Sequence, residues 1–97
     1  MTMPEFIAEV NDAIEMYEEA IGGFAARTRE MIENHGPVEA LARLVQSPDL
    51  QTGFRVLRDK NQLASTFEAV ITRHADLFQG QVVEAAQWRL DTANELL

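Results

Sequence analysis

The two histidines, His35 and His74, are the side chains of this chain best suited to proton transfer or metal ligation near neutral pH. Neither has a carboxylate three residues before it, as a Glu-x-x-His metal motif requires, nor a second histidine four residues on. The sequence therefore predicts no metal and no cofactor. His35 is expected near a helix C-terminus, where the dipole favours a cation, and His74 in a connecting turn. A serine or threonine nucleophile needs a base within hydrogen-bond reach and a strained, glycine-flanked turn, and no such signature occurs. Gly22-Gly23 runs into Phe24 rather than Lys-Ser or Lys-Thr, so no phosphate-cradling loop is present. No catalytic residue is assigned, and the expectation is a protein that is not an enzyme.

The remaining residues of interest are suited to contact. Glu5, Glu9, Asp12, Glu15, Glu18 and Glu19 occupy the first 21 residues without one Lys or Arg. Spread along a helix they resemble the charge of a nucleic-acid backbone, although solubility alone also accounts for such a face. Trp88 falls among Gln81, Glu84, Thr92 and Glu95, on the polar side of the last helix, which makes it either an interface anchor or a ring covered by a neighbouring segment. Arg55, Arg58 and Lys60 form a basic cluster expected to pair with the acidic first helix of the same chain or of a second copy. The candidate partner-binding residues are thus Trp88, Glu5, Asp12, Glu15, Glu19, Arg55 and Arg58.

Helices must position these groups, because no segment alternates with a period of two. Thr2 and Glu5 have capping-box spacing, and Phe6, Val10, Ile14, Tyr17 and Ile21 form one apolar stripe. Phe24, Thr28, Met31 and His35 continue its phase. That continuity predicts one long helix over about residues 3–35, kinked at the glycines; the alternative is two helices hinged there. Gly36-Pro37 stops it and opens a second helix with Val38, Leu41, Leu44 and Val45 inward, ending before Ser47-Pro48. A loop over Asp49 to Thr52 precedes a short helix presenting Phe54 and Leu57, closed by Asp59-Lys60-Asn61. Ser65 and Glu68 supply a second capping-box spacing before Phe67, Val70 and Ile71. Leu77 and Phe78 then plug the core from a tight turn. A last helix runs from about Gln81 to Glu95 with Val82, Val83, Ala86, Leu90 and Ala93 inward, and Leu97 keeps its phase.

From Gly36 onward the chain resembles a small all-helical domain family found in bacterial proteins of unknown role. The resemblance is carried by Gly36-Pro37-Val38-Glu39-Ala40 with Leu41 and Leu44, by Gly53-Phe54 with Leu57 and Leu63, and by Thr66-Phe67-Glu68-Ala69-Val70, Leu77-Phe78, Ala86 and Arg89-Leu90. It covers about two thirds of the chain. It implies a fold and transfers no site or activity. His74 stands where the family usually has proline, and Trp88 where it usually has a polar residue.

Length and balance set the outer bounds. Ninety-seven residues with 46% hydrophobic and 25% charged content suit one globular domain, divided into an acidic amphipathic helical arm (1–35) and a compact helical part (36–97). No cysteine is present, so disulfides and thiolate metal sites are excluded, and no signal segment or membrane-length apolar run is visible. A cytoplasmic location is expected. A formal charge of −8 disfavours direct contact with nucleic acid or anionic lipid. The expected fold is all-α, a long N-terminal helix on four or so shorter ones. The expected function is a non-enzymatic protein-interaction module: an adaptor, an inhibitor or a homodimer formed through the first helix. Its partner is another protein or a second copy, with no small-molecule substrate. Two alternatives stand beside it, an acidic nucleic-acid mimic of the sort phages deploy against nucleases or CRISPR complexes, and an enzyme without a readable motif.

Overall fold

A computed structural model describes residues 3–46 and 52–95. The first helix, α1 (Met3–Ile21), buries Phe6, Val10, Ala13 and Ile14, which recur at the three- and four-residue spacing that puts side chains on one helical face. It ends at the glycines. Gly22 takes the left-handed conformation (φ +72°), and the amides of Gly22 and Gly23 bond to the Glu19 and Glu18 carbonyls at 3.3 and 3.1 Å. That is a Schellman stop, which satisfies carbonyls a helix end would leave open. The single helix over 3–35 is therefore corrected to two. Cap chemistry at Gly22 overrides a preserved apolar phase, and Phe24, expected on the stripe, is 73% exposed.

The second helix, α2 (Ala26–His35), closes on Gly36, whose φ of +83° and bond to the Ile32 carbonyl form the expected stop. Pro37 opens α3 (Pro37–Gln46), with Ala40, Leu41 and Val45 buried and Val38 and Leu44 half-buried. The helix α4 (Thr52–Asp59) turns Phe54 and Leu57 inward and ends on Asn61 at φ +62°, where the Gln62 and Asn61 amides reach the Leu57 and Arg58 carbonyls. Thr2, residues 49–51 of the expected loop and Leu97 lie outside the described residues; Thr52, expected to end that loop, instead opens α4.

The cap of α5 (Phe67–Arg73) is Thr66, whose Oγ1 accepts the Ala69 amide at 3.2 Å. This moves the cap one residue on from Ser65, and Glu68, freed from capping, turns into the core. The last α-helix, α6 (Gly80–Asp91), is shorter than expected. It ends on Thr92, whose amide and hydroxyl donate to the Trp88 carbonyl at 3.0 and 2.7 Å, and Ala93–Glu95 follow as a 3₁₀ turn. No strand occurs among the described residues.

The helices pack in a run of neighbours: α4 on α1, α1 on α5, α5 on α6 and α3, α6 on α3, and α3 on α2. Phe6, Val10 and Ile14 of the α1 stripe are thus covered by the chain itself, while Tyr17 is half-buried and Ile21 is 36% exposed.

Candidate functional site

An open groove of about 650 Å³ lies where α1, α3 and the start of α6 meet. Its long wall is α3, which presents Val38 and Ala42 one turn apart and Gln46 a turn further on. Leu77 and Phe78 enter from the 3₁₀ turn Ala75–Leu77, and Val82 from the first turn of α6. Met3 and Ile7 form the opposite wall and are 47% and 43% exposed. His35, Gly36 and Pro37, from the α2–α3 junction, and the polar Glu39 and Gln79 also line it.

The floor is fixed from below. Phe78 meets Phe6 edge to face at 5.8 Å, and Phe6 meets the imidazole of His74 in the same way at 5.3 Å. His74 is buried, and its Nε2 stands 2.7 Å from Glu9 Oε2. Arg73 donates to the other Glu9 oxygen at 2.7 Å and to the Ala64 carbonyl. Burial pushes the Glu9 carboxyl up, but its hydrogen bonds to Arg73 and His74 outweigh that and hold it below the usual range. So α1 is tied to the end of α5 by a group the sequence placed in a mere turn. The sequence signal was faint, because Glu9 and His74 are 65 positions apart.

Two more internal pairs escaped the sequence reading. Arg89 Nη1 donates to Glu68 Oε2 at 3.0 Å with both side chains buried, and burial raises the Glu68 carboxyl in spite of Arg89. The spacing Val82, Ala86, Arg89, Ala93 places Arg89 on the buried face of α6, a signal of its burial although not of its partner. At the α1–α2 hinge, Glu18 accepts from Arg29 through both oxygens at 2.8 and 2.7 Å and from the Ala25 amide, which lowers its carboxyl to about 2. Arg29 in turn lies over the exposed ring of Phe24 at 5.1 Å.

These pairs change the acidic face. Glu9 and Glu18 are engaged within the chain, while Glu5, Asp12, Glu15 and Glu19 are exposed within an arc of roughly 80° on α1. Trp88 is 58% exposed, and no segment among the described residues covers its ring. Arg55 and Lys60 are exposed; Arg58 instead bonds the Ala93 carbonyl at 3.0 Å and Asp59. The groove is invisible to sequence periodicity, since its residues come from three separate stretches, 3–7, 35–46 and 77–82. Among the described residues no three His, Asp or Glu side chains converge as metal ligands would, and no helix is long and apolar enough to cross a membrane.

No protein-family model matches the chain, and neither a curated protein nor a solved structure is similar to it.

Proposed function

We propose that this chain is a non-enzymatic protein-interaction module that holds a segment of another protein in the groove between α1, α3 and α6. The observation that carries the reading is the exposure of Met3 and Ile7 beside half-buried Val38, Leu77 and Phe78. Together they make a contiguous apolar surface with a polar rim, the arrangement expected of an interface rather than of scattered surface residues. The test compares pull-downs by the intact chain, by Ile7→Asp, by Ala42→Arg and by Trp88→Ser. A partner lost with the first two variants and retained with the third supports the groove; a partner retained by all but Trp88→Ser moves the interface to α6.

A second reading follows from Glu5, Asp12, Glu15 and Glu19, which face one way over ~21 Å of α1 and would suit a basic nucleic-acid groove. One charge per ~5 Å is sparser than the one per ~1.7 Å of duplex DNA, which places mimicry second. Reversing all four to Lys should abolish inhibition of a nuclease or CRISPR complex. Unchanged inhibition ends this reading.

A further inference from the structure

We propose that Gly22-Gly23 is a hinge through which two copies of this chain exchange α1, each α1 docking on the α4 and α5 of its partner and running into its own α2 as one continuous helix. The proposal does not depend on what the groove binds. At 100° per residue, the stripe that Phe6, Val10 and Ile14 set on α1 continues in phase through Ile21, Phe24 and Thr28, as it would on a single helix over residues 3–35. The chain nonetheless breaks at Gly22 and leaves Ile21 36% and Phe24 73% exposed.

Packing shows how the straight form could be reached. Helix α1 lies on α4 and α5, and α2 lies on α3, while α1 and α2 scarcely pack on one another among the described residues. Glu18 ties them together: its carboxylate accepts Arg29 through both oxygens at 2.8 and 2.7 Å and the Ala25 amide at 2.9 Å. On a continuous helix Glu18 and Arg29 would stand ~16 Å apart along the axis, so this clamp belongs to the bent form alone.

Straightening within a single chain would pull α1 off α4 and α5, or α2 off α3. Exchange between two copies keeps both sets of contacts, because every surface α1 meets in its own chain is present in the partner. It also extends the helical hydrogen bonding across residues 22–25 and brings Ile21 and Phe24 of both copies to the crossover, where each can cover the other. The two glycines, the Glu18 clamp and the −8 charge of each copy oppose exchange and favour the monomer at low concentration. Met3 and Ile7 travel with α1, so each groove of the exchanged dimer takes one wall from the other copy.

The test is refolding from urea at about 1 mM protein in about 0.5 M salt, which screens the charge, followed by light scattering and cross-linking. The chain has no cysteine, and Glu9 and Arg73 form a partly exposed ion pair between α1 and α5. With Glu9→Cys and Arg73→Cys in place, a short bis-maleimide joins α1 to α5 within one chain of a monomer and between two chains of an exchanged dimer. Gly22→Ala with Gly23→Ala strains the left-handed stop and favours the straight helix, and should lower the dimer dissociation constant roughly a hundredfold. Arg29→Gln keeps the glycines and removes the clamp; it should lower that constant about fivefold, and it carries the test if circular dichroism shows the alanine pair unfolded. The expected result is a minor interchain-linked dimer from the natural hinge and a dominant one from the variants. Monomers throughout, dimers whose links stay within single chains, or exchange in the variants with none from the natural hinge would each overturn the proposal.

Discussion

Arg89 Nη1 lies 3.0 Å from Glu68 Oε2 where α5 crosses α6, and both side chains are almost fully withdrawn from water. Removing one partner leaves a buried charge without compensation, which costs more than the pair itself contributes. Arg89→Met is expected to lose about 3–5 kcal/mol in urea unfolding, and the double variant Glu68→Leu, Arg89→Met to recover most of it.

The same pair has a pH signature. Burial raises the folded-state pKa of Glu68 above its unfolded value, so the folded state takes up the proton first, and stability contributed by this group rises as pH falls through that interval. In Arg89→Met the opposing hydrogen bond is gone and the folded pKa climbs further. The defect of that variant should shrink as the pH is lowered from 8 towards 5; a defect independent of pH would place Glu68 in water.

Glu9 has the opposite sign. Desolvation raises it, but Arg73 and His74 bring its folded pKa below the unfolded value. Its contribution is complete above that unfolded value and is lost as pH falls through the folded one. Glu9→Gln should lower stability by no more than about 1 kcal/mol at pH 7, because the carboxylate is partly exposed, and by almost nothing at pH 3. Unfolding curves at the two pH values check this.

Gly53 and Tyr17 are matched by shape. A Cβ on Gly53 would overlap the Tyr17 ring, because α4 packs there directly on α1. Gly53→Ala is expected to cost about 1–3 kcal/mol as an overpacking defect, partly relieved by Tyr17→Val. Gly80→Ala meets nothing within 4 Å and should be neutral or stabilising by up to about 1 kcal/mol. Equal effects at the two glycines would contradict the α1–α4 contact.

Trp88 is the single tryptophan and reports its own surroundings. With 58% of it exposed, emission should lie near that of free indole and be quenched readily by acrylamide. Negative charge on Glu84 and Asp91 beside it should make iodide a weaker quencher than acrylamide. Blue-shifted, protected emission would mean a covered ring.

Helix class and most boundaries were legible because they depend on local chemistry. Gly36-Pro37 and Asn61 close helices through positive φ, and Phe6, Val10 and Ile14 mark the inner face by spacing alone. The outward direction of Trp88 was legible for the same reason. Long-range partners were not. Glu68–Arg89 and Glu9–His74 join residues 21 and 65 positions apart, and periodicity carries no information about which charged group meets which. The choice between a kink and a break at Gly22 turns on cap geometry, which apolar phase does not report, and α6 ends early at Thr92, whose amide and hydroxyl both donate to the Trp88 carbonyl. The groove needed the tertiary arrangement itself, since Met3, Ala42, Phe78 and Val82 share no motif.

The claim that the groove is the contact surface is tested most directly by photo-crosslinking in the source cells, with a benzophenone amino acid placed at Ile7 or, as a control on the exposed face of α2, at Glu30. A protein adduct at Ile7 that disappears with Ala42→Arg, and none at Glu30, is the result expected. Adducts at Glu30 but not at Ile7, or an Ile7 adduct indifferent to Ala42→Arg, would contradict it.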